Sequence, residues 1–274
     1  MTTVLFLGGG RITSAMLAGL RLAKHDYRLL VHDRHPEKLR NLKKAYSVIV
    51  EKDITRAIAV ADVLIIAVRP DAIRRLLETV RKAFSEHTTV ASRRRHPPLA
   101  ISLAAGVPLQ ALHKVSGDGL KLARAMPSPL CRFGRGLTAV TFPRDASRAH
   151  RKLVRDFFAA TGSVIEIPES KFDAFTVTYS CSHGYHALAT LAKSAQAAGL
   201  DRQTALLASA HALADGIFAW REGNLSLERL LEEAATPGGI AATTMAGMDS
   251  AGYARAVRQG VVEGLRRARA NARG

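Results

Sequence analysis

Acidic residues are scarce in this chain of 274: 23 Asp and Glu stand against 40 Lys and Arg, a formal net charge of +17. Cysteine is nearly absent, and Cys131 and Cys181 form neither a metal-ligand spacing nor a disulfide framework. That usage suits a reducing compartment, and no metal is expected. Aromatic residues make up 5%, with a single tryptophan, so the core must be built chiefly from Ala, Leu and Val. No apolar run approaches the ~20 residues that span a bilayer, so no membrane role is expected. Residues 1–20 lack the charged start, long apolar stretch and cleavage site of a secretory leader, and a cytoplasmic location is the expectation. A strongly basic field attracts anions, nucleic acid among them. Here the basic residues are dispersed, apart from Arg93-Arg94-Arg95 and the tail residues Arg266, Arg267, Arg269 and Arg273. No aromatic stacking pattern accompanies them, which argues against a nucleic-acid partner and for a solvated basic surface.

What is present is most informative at the start, where residues 4–16 read VLFLGGGRITSAM. Four apolar residues with β propensity precede three glycines and a segment able to open a helix. A G-x-G turn in that place lets backbone approach a pyrophosphate, and the helix N-terminus favours its negative charge. Gly8 makes the tight turn, Gly10 allows the close approach, and Arg11, Ile12 and Thr13 open the helix. Thr13 stands where the fingerprint has its third glycine. A strand–helix turn that binds nothing is the alternative.

The first 167 residues alternate strand-like and helix-like segments. Strands are expected at 27–32, 48–50, 62–68, 88–91, 100–103, 120–123, 137–141 and 164–167. Helices are expected at 36–45, 54–61, 71–84 and 109–115, the third with Ile73, Leu76, Leu77 and Val80 at helical spacing. This alternation predicts an α/β fold, a doubly wound parallel sheet of the Rossmann type covered on both faces. The pattern changes near residue 168, and from Tyr185 onward the chain is rich in Ala and Leu with no strand signal. Segments 187–198, 202–221, 227–234 and a last stretch from about 243, bent near Gly247 and Gly252, read as helices. The expectation is a dinucleotide-binding domain over 1–167 and an all-helical domain over 168–274 whose apolar helices suit dimerisation.

Asp33 follows the second strand, where an acidic residue ordinarily binds the adenine ribose. Arg34, His35 and Lys38 beside it can surround a 2′-phosphate, which points to NADP, with NAD as the other possibility. For Arg34 a solvated turn is the competing reading. Val68, Arg69 and Pro70 end a buried strand, and ligands in open parallel sheets sit beyond such ends. Ala104 and Gly106 end another, with small side chains that leave room for a nicotinamide. Ordinary strand–loop punctuation is the alternative for both.

The chain resembles the pyrroline-5-carboxylate reductases over nearly its whole length. FLGGGRITSAM resembles the family's F-I-G-x-G-N-M-A-x-A, and VHDRHPEKL its segment after the second strand. ADVLIIAVRP matches A-D-x-x-x-x-A-V-K-P, and ISLAAGVPLQAL resembles I-S-x-x-A-G-V-x-x-x-x-L. ARAMPSPLCRFGRG resembles R-x-M-P-N-T-P-x-x-x-x-x-G, and TPGGIAATTMAGMDSAGYARAV resembles S-P-G-G-T-T-x-x-x-x-x-x-L-E-x-x-G-x-R-x-A-V. The resemblance implies a nicotinamide domain followed by a helical domain that dimerises, with the substrate site where the helical domain of one subunit meets a cofactor domain. It implies hydride transfer to the carbon of a cyclic imine, a small-molecule substrate, and a homodimer or higher homo-oligomer.

The departures fall in the substrate segments. Thr236, Gly238 and Gly239 keep the family's turn, while Ile240 and Ala241 replace its two threonines. The second threonine's hydroxyl meets the imine nitrogen in the family, and Ala241 has none. The turn's N–H groups remain available for a substrate carboxylate. The family's G-S-G-P-A-Y is here SCSHGY, so His183 and Tyr185 are candidates to supply the missing hydrogen bond or proton; a capping or solvated histidine is the alternative. Ser128 stands where the family has Asn, and Lys193, near an expected Asp, reads as solvated or site-lining. Reduction of pyrroline-5-carboxylate to proline is the first expectation. Reduction of another imine or small carbonyl compound, and a nucleotide-binding regulator without catalysis, stay open beside it.

Overall fold

The computed structural model describes residues 1–88 and 98–272, and the side chains of all of these except 85–88. The chain forms two compact units, Met1–Tyr179 with Leu265–Gly274, and Ser180–Gly264.

The first unit runs β1 (Thr3–Leu7), α1 (Arg11–Leu22), β2 (Arg28–His32), α2 (Pro36–Tyr46), β3 (Ile49–Val50), α3 (Ile54–Val60), β4 (Val63–Ile66) and α4 (Ile73–Thr88). It continues β5 (Leu99–Ser102), α5 (Leu109–Ser116), β6 (Lys121–Pro127), β7 (Gly136–Thr141), α6 (Arg148–Ala159), β8 (Gly162–Glu166) and α7 (Glu169–Thr178). All eight strands join one sheet in the order β3-β2-β1-β4-β5-β6-β7-β8. The register aligns Val4 with Val63 and Val63 with Leu99, so alternate side chains fall on two separate faces. Val4, Phe6, Val63 and Ile65 pack with Met16 and Leu20 of α1 and Phe157 and Phe158 of α6. Leu5, Leu7, Leu64 and Ile66 pack on the other face with Ile58 of α3, Leu77 of α4 and Leu112 of α5. Each such side chain contributes about 1.5–3 kcal/mol by leaving water, so the two layers hold the strand ends in fixed places.

Three expectations need correction. The sheet is not wholly parallel, because β7 runs antiparallel to β6. The segment 128–135 between them holds only a 3-10 turn, Pro129–Phe133, and a parallel crossover needs a dozen or more residues. Helices α6 and α7 were not expected from the sequence. The last stretch divides differently: α11 (Ile240–Ser250) passes through Gly247 and ends before Gly252, whose φ is +85°. The expected strand at 88–91 begins on Thr88, the last residue of α4, and 89–91 lie outside the described residues, as do Arg93, Arg94, Arg95 and Arg273.

The second unit contains α8 (Cys181–Ala197), α9 (Arg202–Glu222), α10 (Leu227–Ala234), α11 and the first part of α12 (Tyr253–Asn271). Ser180, Asp201 and Ser226 cap α8, α9 and α10 by accepting backbone N–H bonds. Such caps stabilise a helix by about 1 kcal/mol each. Within this unit only Ala192, Ala205 and Ser209 are buried, while Leu207, Ile217, Phe218 and Trp220 on α9 are half or more exposed. A bundle with so small a core of its own is built to be covered by another surface.

Candidate nucleotide and substrate sites

The C-terminal ends of the parallel strands β2, β1, β4 and β5 lie side by side, and the order in which strands are added to the sheet reverses between β1 and β4. Open α/β sheets bind their ligands at such a point. After Leu7 the backbone turns through Gly8 at φ +112°, and a Cβ there would stand 2.5 Å from the Ala67 carbonyl oxygen. The Gly8 N–H donates to the His32 carbonyl at 2.8 Å, tying β1's end to that of β2. Gly9 is buried, and its N–H donates to Asp33 Oδ2 at 2.7 Å. Gly10 is the N-cap of α1; among the described residues no atom lies within 4 Å of where its Cβ would stand, and no side chain caps the helix. Thr13 is fully buried, and its hydroxyl donates to the Gly8 carbonyl at 2.6 Å. It clasps the turn from inside, at the place where the fingerprint has a glycine. Arg11 and Ile12 follow Gly10 on the first turn.

Asp33 is mostly enclosed and accepts three hydrogen bonds, from the Gly9 N–H, the His35 N–H and His35 Nδ1. Burial pulls its pKa up, but these bonds and the Lys38 charge outweigh burial and hold it below the usual carboxylate value. Arg34, His35 and Lys38 are exposed around it. The space beside Gly10, the uncapped start of α1 and the cations after β2 fit a pyrophosphate and the ribose end of a nicotinamide dinucleotide.

Val68 is half-buried beyond β4, and Arg69, 85% exposed, pairs with Asp71 at 2.7 Å before the 3-10 turn that Pro70 opens. Ala104 is buried, and its N–H donates to Ser102 Oγ at 3.3 Å. Gly106 has φ +78°, and a Cβ there would collide with the Ala268 carbonyl. Close approach of the end of α12 therefore requires this glycine. Ser128 is buried and caps the turn after β6, accepting from the Leu130 N–H at 3.3 Å.

Apart from Ser128, the candidate substrate residues lie in the second unit. His183 and Tyr185 are on the exposed first turns of α8, with the His183 N–H donating to the Ser180 carbonyl at 3.0 Å. Gly238 turns the chain at φ +75°, and the Gly239 N–H donates to the Thr236 carbonyl at 2.9 Å. Gly239 then caps α11 with extended backbone, and Ile240 and Ala241 form the exposed first turn. Among the described residues no side chain caps α11. Its leading N–H groups form the positive end of a helix dipole, where a carboxylate is favoured. Lys193 is exposed on α8.

Three residues outside the expected sites shape the first unit: Gly9, whose N–H grips Asp33, and the pair Arg124 and Glu169 behind β6. Among the described residues no group of His, Cys, Asp and Glu is placed to hold a metal, and no helix is long and apolar enough to cross a membrane.

Two family models match the chain. One, described as NADP oxidoreductase coenzyme F420-dependent, covers residues 3–92; the other, pyrroline-5-carboxylate reductase dimerisation, covers 169–271. A curated pyrroline-5-carboxylate reductase of Corynebacterium melassecola is 30% identical over 75% of this chain and 74% of its own length. One from Synechocystis is 29% identical over 95% of both chains. The solved structure of Plasmodium falciparum pyrroline carboxylate reductase, with NADP bound, is similar in fold with a TM-score of 0.84 at 20% identity, over 99% of this chain and 98% of that one. With the glycine turn, the uncapped helix starts and relatives that match across both units, this chain belongs to the pyrroline-5-carboxylate reductase family.

Proposed function

We propose that the chain reduces the C=N bond of pyrroline-5-carboxylate to give proline, with NAD(P)H as the reductant and NADPH favoured. The observation that carries this reading is that the family relationship runs through both units, so the segments that meet substrate are inherited together with the nucleotide turn. The cofactor supplies a hydride to the ring carbon, and a proton must reach the nitrogen. The chain's part is to hold and orient. The leading N–H groups of α11, at Ile240 and Ala241, bind the substrate carboxylate, and Ser128 of the first unit and Thr236 of the second are the other residues assigned to substrate. His183 or Tyr185 supplies a hydrogen bond or proton to the nitrogen, since Ala241 lacks the hydroxyl that the family's threonine brings there.

The working form is a homodimer or a larger homo-oligomer built on the helical unit, located in the cytoplasm, with a small imine as partner and no nucleic acid. The exposed apolar side chains of α9 support that assembly. A second reading, reduction of a related cyclic imine, is favoured by the same exchange of threonines for Ile240 and Ala241. Oxidation of NADPH followed across a panel of cyclic imines, with sedimentation of the same sample, tests all of this. Turnover of pyrroline-5-carboxylate above all others, by a species larger than a monomer, is the expected result. Binding of NADPH without turnover of any imine would leave a nucleotide-binding regulator in its place.

A further inference from the structure

The first unit holds a cavity at the end of its sheet away from the nucleotide turn. β6 runs parallel to β5, β4 and β1 and begins at Lys121. The cavity lies around that beginning, between α5 and the loop from β7 to α6. Its volume is about 590 Å³, within the range of small-molecule sites. Leu109, Leu120 and Leu122 are buried, and with Pro143 they give it apolar walls. His150, on the first turn of α6, also lines it. This residue is 8% exposed, and its Nε2 has no hydrogen-bond partner among the described residues. That is an uncommon state for a buried polar atom.

The rim carries charge of both signs, although the chain as a whole is strongly basic. His113 and Asp118 stand 3.7 Å apart and answer each other. Lys121 and Asp145 are exposed, and neither has an ion pair or a side-chain hydrogen bond among the described residues. Burial lowers the His150 pKa, the charges of Lys121 and Arg151 lower it further, and Asp145 opposes them, so Lys121 and Asp145 both stand near that ring. Opposite charges that border one cavity without pairing suit a ligand that brings both signs itself. A phosphate would meet Asp145 as a like charge, and a diamine would meet Lys121 in the same way. We propose that this cavity is a second binding site, for an α-amino acid with an aliphatic side chain. The ligand's carboxylate faces Lys121, its ammonium faces Asp145, and its side chain lies against Leu109, Leu120 and Leu122. The start of α11, assigned above to the substrate carboxylate, belongs to the other unit.

Equilibrium dialysis of labelled L-leucine against the full chain tests the site. Isocaproate and isoamylamine, which keep the same apolar body with one charge each, are the comparison probes. Saturable binding of L-leucine below about 10 mM is expected. Each single-charge probe should bind about tenfold more weakly, the scale of a lost hydrogen bond to a charged group. Lys121→Met and Asp145→Asn should each weaken L-leucine about tenfold as well. Both residues are exposed, so neither change should move the unfolding midpoint of the unliganded protein. The imidazole NMR signals of His150, identified by their loss in His150→Phe, should shift as L-leucine is added to the native chain. That shift is read without either charge variant, so it decides the matter even if one does not fold. No saturable binding of L-leucine, binding indifferent to both variants, or unmoved His150 signals would overturn the proposal. Isocaproate binding as tightly as L-leucine would overturn it too, in favour of a site for anions.

Discussion

Arg124 and Glu169 meet behind β6: the guanidinium, 1% exposed, donates from Nη1 to Oε1 at 2.9 Å. Its Nη2 reaches Asp173 Oδ1 at 3.0 Å, and the group lies 4.4 Å over the Phe172 ring. Glu169 Oε1 also accepts from the Leu109 N–H at 2.9 Å, so one carboxylate joins β6, α5 and α7. Removing one partner of a buried ion pair costs about 3–5 kcal/mol, and the partly exposed carboxylates place this case at the lower end. Arg124→Met is expected to lose about 3 kcal/mol in urea unfolding. Arg124→Lys should recover only part of it, because an ammonium lacks the fork that reaches both acids. A loss under about 1 kcal/mol in Arg124→Met would show that the cluster contributes little.

The two glycines of the nucleotide turn should separate stability from binding. Gly8→Ala places a Cβ against the Ala67 carbonyl at positive φ, which costs about 2 kcal/mol or more in unfolding free energy. Gly10→Val enters open space, so its unfolding free energy should stay within about 1 kcal/mol of that of the native chain. Its branched side chain then stands where the pyrophosphate must come, and NADPH binding should fall at least about tenfold. Equal binding by Gly10→Val and native protein would remove the turn from the cofactor site.

Stability should fall on the acid side through His150. Burial lowers its pKa, the charges of Lys121 and Arg151 lower it further, and Asp145 opposes them. A histidine depressed in the folded state leaves stability intact above its unfolded value, about 6.5. Stability then declines as pH falls from there toward the folded value, because the unfolded chain takes up the proton first. The slope is at most about 1.4 kcal/mol per pH unit. His150→Phe, which preserves the edge-on packing against Phe142 at 5.6 Å, should flatten this part of the profile. Denaturant midpoints compared at pH 7.5 and pH 5, chosen as roughly one unit or more to either side of that value, check it. Identical acid limbs in the two proteins would assign the decline to other groups.

Turnover of pyrroline-5-carboxylate should be limited by the hydroxyl missing at position 241. A hydrogen bond lost at the reacting group costs on the order of 1–3 kcal/mol, or roughly 5- to 150-fold in rate. Ala241→Thr is therefore expected to raise kcat for this imine, and His183→Ala to lower it. Robust native activity indifferent to both changes would show that other residues meet the nitrogen.

The α/β alternation was legible because the buried strands are short apolar runs such as VLII at β4 between helices with a single apolar face. Helix α6 was legible too, in Val154, Phe157 and Phe158 at spacings of three and four, but its many charged residues disguise it. α7 is harder, since Phe172, Phe175 and Val177 are spread around it. The antiparallel β7 could be argued from the short segment after Pro127 alone. At the site, the glycine turn announces itself, whereas the engagement of Asp33 does not, because it depends on Gly9, far back in the chain. The local half of that arrangement, Asp33 accepting from the N–H two residues on and just before a proline, is an Asx turn that the sequence does signal. The role of Gly106 has no local sign, since its neighbour Ala268 comes from the other end of the chain.

That last contact makes the helical unit an insertion rather than an appendage. The chain leaves the nucleotide unit after Tyr179 and rejoins it at Leu265, where Ala268 packs on Gly106 and Asn271 donates to the Ala105 carbonyl at 3.2 Å. Exchanging helical units between relatives thus takes two splice points. A chain cut after Tyr179 would strip a piece of the nucleotide unit's own wall, exposing the loop after β5 that borders its ligand crevice.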